Sequence, residues 1–182
     1  MVFSGITFVQ YFSVAPLYYE EIHGLSAELI GWLLFLNGVI IVIFEMPLVG
    51  WLERIKISKT MATFWGTLLL ALSFLVLTVS SWSGVLIIGM ILMTLGEMVS
   101  SPFSNALAIQ MAPKGRKGSY MGLYSMSFSM AHIFGHNLGM NMASNFGFDA
   151  TWLYLGIFVL FICIIVLWLL KLLKNSPKFE TY

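Results

Sequence analysis

Nine Lys and Arg residues stand in three short clusters separated by pairs of long apolar stretches, and this spacing constrains the chain more than any other feature. The clusters are Arg54, Lys56 and Lys59; Lys114, Arg116 and Lys117; and Lys171, Lys174 and Lys178. A basic side chain at the bilayer centre costs roughly 2.5–3.5 kcal/mol on insertion scales, so Lys and Arg collect at membrane edges, above all on the cytoplasmic side. Two crossings between successive clusters return the chain to the same face each time. The pattern predicts a multi-pass protein of the cell (inner or plasma) membrane with both termini cytoplasmic.

Composition agrees. At 59% hydrophobic and 9% charged residues, with mean hydropathy +0.93, the chain lies outside the range of a soluble domain. The net charge of +1 and the lack of a basic stripe exclude nucleic acid as a partner; the lipid bilayer takes that place. Cys163 is the only cysteine and sits in an apolar run, so neither a disulfide framework nor a thiolate metal site is available. The start, MVFSGITFVQ, has no basic leader and no cleavage pattern, and it reads as the interior of a span. The expectation is that something normally precedes Met1.

A helix needs about 20 mostly apolar residues to cross the hydrocarbon, and six stretches qualify: 2–19, 29–52, 60–80, 84–111, 118–143 and 151–170. Lipid leaves no water for unpaired backbone groups, so the fold class is all-α integral membrane. Glu20, Glu21, His23 and Glu28 follow the first span and Asp149 precedes the last, which places acidic connections outside. Trp32, Trp51, Trp82, Trp152, Trp168, Tyr18, Tyr19 and Tyr154 lie near span ends and read as headgroup-level belt residues.

Spans three and six contain no charged residue, His, Asn or Gln, whereas the other four each carry at least one. Span one has Gln10, span two Asn37 and Glu45, span four Glu97, Asn105 and Gln110, and span five His132, His136, Asn137 and Asn141. Such groups are expensive in lipid and face a bundle interior or a wet cavity. The expected architecture is one six-span bundle over 1–182. It is built of two inverted three-helix repeats, about 1–80 and 83–172, whose third members lie outermost.

Counted at about 1.5 Å per residue, Gln10, Asn37, Glu97 and His132 fall near the midplane, the level at which repeat-built transporters hold substrate and coupling ions. Helical spacing adds two polar stripes: Glu97, Ser101 and Asn105, and Ser125, Ser129, His132 and His136. A carboxyl at that depth can take up and release a proton as a cavity opens to either side, which makes Glu97 the leading candidate for contact with substrate or proton, aided by His132, Gln10 and Asn37 and by His136, Ser101, Asn105 and Ser129 along the stripes. The asparagines also fit a plainer role as interhelical hydrogen-bond glue. Glu45, beside Pro47 toward the cytoplasmic end, reads as a gating or structural contact. Gly89, Gly96, Gly122, Gly135 and Gly139 mark close helix approach or bending.

His132 and His136 also have metal-ligand spacing, which raises a membrane metal hydrolase as a rival. No HExxH pattern and no third spaced ligand accompany them. No GxSxG, Walker or dinucleotide motif occurs either, so neither a cofactor nor a catalytic residue is expected. A non-transporting scaffold or accessory subunit is the other alternative.

Four local motifs then point one way. Gly50-Trp51-Leu52-Glu53-Arg54-Ile55-Lys56 is similar to a GxLxDR loop with trailing basic residues, one residue short and with Glu53 where Asp is usual. Pro113-Lys114-Gly115-Arg116-Lys117-Gly118, followed by Tyr120 and Gly122, is similar to the junction before helix eleven. Gly135-His136-Asn137-Leu138-Gly139 resembles a GPxxG bend with His136 in place of Pro. Leu95-Gly96-Glu97 with Pro102 resembles sequences of proton-coupled exporters. Across all 182 residues the chain resembles the C-terminal half, helices seven to twelve, of a major facilitator superfamily transporter. The resemblance implies secondary active transport of a small solute by alternating access, with proton coupling. It also implies gating contacts at Glu53 and Arg54, and an N-terminal six-helix half, or a second copy, that completes the machine.

Overall fold

The computed structural model describes residues 2–79, 82–113 and 115–174. Those residues form seven helices: α1 (Val2–Ser13), α2 (Ala15–Glu21), α3 (Ala27–Arg54), α4 (Lys59–Leu77), α5 (Gly84–Met111), α6 (Lys117–Phe146) and α7 (Phe148–Lys174). Their bounds follow the six expected stretches, with the first divided in two. Pro16 explains the division: it has no N–H, and its ring crowds the carbonyl four residues back. Backbone hydrogen bonds from Val14 N to Gln10 O (2.8 Å) and Tyr18 N to Val14 O (3.0 Å) still carry the rod across the break.

Helix starts are chemically marked. Ser26 caps α3 by accepting from Leu29 N, and Ser58 caps α4 by accepting from Met61 N. Between them, Lys56 adopts a left-handed φ of 54° and its N–H returns to Glu53 O, which closes α3 in a short turn.

Among the described residues four helices, α3, α4, α5 and the first 21 residues of α7, are long and apolar enough to cross a membrane. The first span is divided, and α6 carries too many polar side chains to meet the same measure. The chain is an all-helical multi-pass membrane protein.

Packing centres on α4, which lies against α5 on one side and α7 on the other, while α1 runs beside α6 and α3 beside α5. The third span, expected outermost, is thus the inner one of this bundle, because its lack of charged and amide side chains lets small and apolar residues pack on both sides of it. Glycine makes the closest approach: a Cβ on Gly66 would lie 2.8 Å from Gly96 O, and one on Gly96 would lie 2.8 Å from Gly66 O. The two backbones interlock where neither residue has a side chain. Beyond this contact, Trp152 stacks on Phe74 (centroids 5.8 Å apart) and takes the edge of Tyr18. Tyr11 and Tyr19 share a 2.8 Å hydroxyl hydrogen bond. Trp152, Tyr18 and Tyr19, expected on the lipid rim, are therefore buried inside the bundle. Trp32, Trp51, Trp82, Trp168 and Tyr154 are exposed, as belt residues should be. Proximity to a span end fixes depth in the bilayer, but not which way a ring faces.

Candidate functional site

Polar side chains of the expected site fall into two groups, enclosed and open. Gln10 and Asn37 are enclosed, at 0% and 4% exposure. Asn37 Nδ2 donates to Thr94 Oγ1 across the α3–α5 contact at 2.7 Å, and Thr94 in turn donates to Met90 O. Gln10 Nε2 donates to the Gly135 carbonyl of α6. Both amides join helices that lie far apart in sequence.

Glu97 sits one helical turn beyond Thr94, so it lies on the side of α5 that meets α3. It is half-buried, and its Oε2 is shielded from solvent with no hydrogen-bond partner among the described residues. Glu45 of α3 is close enough to interact with it as a like charge. Ser101 and Asn105 continue the stripe, both half-buried, and Asn105 Oδ1 is likewise shielded without a partner among the described residues. Toward the same end, Ser104 Oγ and Tyr124 Oη meet at 3.4 Å, tying α5 to α6.

His132, His136 and Ser129 are exposed along α6. Ser129 donates back to Ser125 O, and the His132 ring packs near Phe128 at 5.8 Å. Among the described residues no group of three His, Cys, Asp or Glu side chains could hold a metal ion. The two histidines thus have no third ligand there. Glu53 and Arg54 are exposed at the end of α3, and Lys59 Nζ donates to Gln110 Oε1 at 3.1 Å, fastening α4 to α5 on the basic face.

Thr94 and Tyr124 are additions to the sequence reading. Thr94 had a signal, since it stands three residues before Glu97 on the same face. Tyr124 had none, because its partner Ser104 is 20 residues away on another helix.

Comparison with known proteins places this arrangement. The family model described as Major Facilitator Superfamily matches residues 1–181. The uncharacterized MFS-type transporter YttB of Bacillus subtilis (strain 168) is 31% identical over 109 residues, 57% of this chain and 26% of that protein. The uncharacterized MFS-type transporter YqjV of the same organism is 27% identical over 121 residues, 66% of this chain and 28% of that protein. The matched region thus spans little more than a quarter of these relatives' length. Among solved structures, a mutant of peptide transporter POT in complex with alafosfalin superposes on 100% of this chain and 38% of its own, with TM-score 0.82 and 16% identity. A POT family transporter in complex with 5-aminolevulinic acid covers 80% of this chain and 31% of its own, with TM-score 0.64 and 20% identity. At such identities the likeness is one of fold.

Proposed function

The chain belongs to the Major Facilitator Superfamily, and on that premise we propose that it forms half of a secondary active transporter that moves a small solute by alternating access with proton coupling. The observation that carries the reading is Glu97: a carboxyl on a membrane-crossing helix, one oxygen shielded and unpartnered among the described residues, with Glu45 opposite and no Lys or Arg inside the six expected spans. A carboxylate left uncompensated in that setting is costly, and a proton or a solute group relieves the cost. Glu97, Ser101 and Asn105 on α5, with Ser129, His132 and His136 on α6, form the proposed pathway face. Asn37 and Gln10 hold the helices that present it.

Six crossings in two inverted threes, about 1–80 and 83–172, place the three basic clusters together on the cytoplasmic side. Glu53 and Arg54 then stand at the cytoplasmic edge, where a rocking half would make and break contacts, and Glu45 lies between them and Glu97. The partner in this reading is an N-terminal six-helix half, or a second copy of the chain. The support is that the structural neighbour with TM-score 0.82 is covered over only 38% of its length.

The test is flux in proteoliposomes that hold the chain together with an N-terminal six-helix half, under an imposed pH gradient. Alafosfalin and 5-aminolevulinic acid, bound by the fold neighbours, serve as first probes within a wider solute panel. Gradient-driven uptake should require both halves, and Glu97→Gln should abolish the response to the gradient while exchange of solute at equal pH persists. Unaltered gradient response in Glu97→Gln would remove Glu97 from the coupling step. No flux with any partner or solute would favour a scaffold.

A further inference from the structure

The residues that α6 buries are Ala131, Gly135, Gly139 and Ala143. Spaced by four, they form a single seam of small side chains, and α1 with the Val14 junction lies along it: Gly5 meets Ala131, Val9 meets Gly135 and Val14 meets Gly139. A small-residue seam lets helix backbones approach closely, yet a smooth one offers little to stop one helix from turning against the other. Gln10 interrupts the smoothness. Its Nε2 donates to the Gly135 carbonyl, and its Oε1 rests against Gly139 at a point where any Cβ would collide. That Oε1 has no hydrogen-bond partner among the described residues although the residue is 0% exposed. Burial of a half-satisfied amide is destabilising, so the feature needs a gain to offset it.

We propose that Gln10 is a positioning residue: its amide, keyed between Gly135 and Gly139, sets the rotation of α6 about its own axis and so the direction of His132 and His136. At about 100° per residue, His132 and His136 lie roughly a quarter-turn from the seam on one flank, and Phe134 and Leu138 about as far round on the other. The two faces lie about half a turn apart, so any rotation of α6 that carries one toward the seam carries the other away from it. The consequence for transport rests on the pathway reading of the two histidines; the rotational key itself does not.

The test uses the full chain in membranes with Cys163→Ala and one reporter cysteine at a time, His132→Cys or Phe134→Cys. The readout is the ratio of their reaction rates with a water-soluble maleimide. Gln10→Met keeps length and removes the amide, and it should change the ratio by about fivefold, the weight of one buried hydrogen bond. Gly139→Ala displaces Oε1 and should give a similar change, and the double variant no more than either alone. Melting of each variant is measured in parallel. A ratio unchanged in both Gln10→Met and Gly139→Ala overturns the proposal, as does a double variant whose change is the sum of the two. A shifted ratio with unaltered flux keeps the key and removes the histidines from the pathway.

Discussion

Asn37 and Glu97 stand on facing helices within reach of the same interface, and their surroundings separate their roles. Asn37 has its donor satisfied by Thr94 at 2.7 Å, and the Thr94 hydroxyl is satisfied in turn by Met90 O. Replacing Asn37 by Leu removes a bond but leaves Thr94 a partner, so the loss should stay near the membrane average, about 0.6 kcal/mol and under about 2 kcal/mol. Glu97 offers the opposite case, an oxygen shielded without a partner. Glu97→Gln should cost no stability, because it removes a charge that nothing nearby compensates. Thermal melting in lipid nanodiscs checks both: Asn37→Leu should melt earlier, and Glu97→Gln at or above the temperature of the unaltered chain. A Glu97→Gln variant that melts well below it would mean the carboxylate is paired after all.

Glycine pairs decide how closely the helices pack, and here the sequence was only partly legible. Of the glycines expected to mark close approach, Gly89, Gly96, Gly135 and Gly139 do face neighbouring atoms, whereas Gly122 has nothing within 4 Å. A glycine's position in a span says that approach is permitted; the partner depends on residues tens of positions away. Helix extents were readable because a crossing length and a polar break are local properties. The α1–α6 seam was not, since it joins Gln10 to Gly135 across 125 residues. Belt assignment failed at Trp152 for the same reason: its depth was local information, its stacking on Phe74 was not. The Gly66–Gly96 contact gives a direct test at this scale. Gly96→Ala sets a Cβ against backbone atoms of Gly66 and Leu70 under 3.0 Å away, which cannot yield as a flexible side chain would. It should destabilise by about 1–3 kcal/mol, while Gly38→Ala, open within 4 Å, should be tolerated. Equal melting of the two variants would mean that α4 and α5 do not interlock there.

At the scale of the whole molecule, the two helices that bury least are α3 and α6. α3 encloses Ile30, Asn37 and Leu52 and exposes Trp32, Phe35, Val42 and Phe44; α6 exposes Leu123, Met126, Ile133 and Phe134 beside its polar stripe. Lipid covers apolar faces without cost, but the polar stripe on α6 needs water or protein against it. In the proposed half-transporter this stripe faces a water-filled boundary with the other half, above the basic clusters. The arrangement holds only if all connections carrying Lys and Arg share one side. Single cysteines placed as His23→Cys and Asp149→Cys should react with an impermeant maleimide added outside intact cells, whereas Lys56→Cys and Lys117→Cys should react only after permeabilisation. The four sites report whether the chain changes sides across α3, across α4 with α5, and across α6. Should positions 56 and 117 report opposite sides, the pair of crossings between the first two clusters is broken, and the polar stripe of α6 would face a different compartment from that of α5.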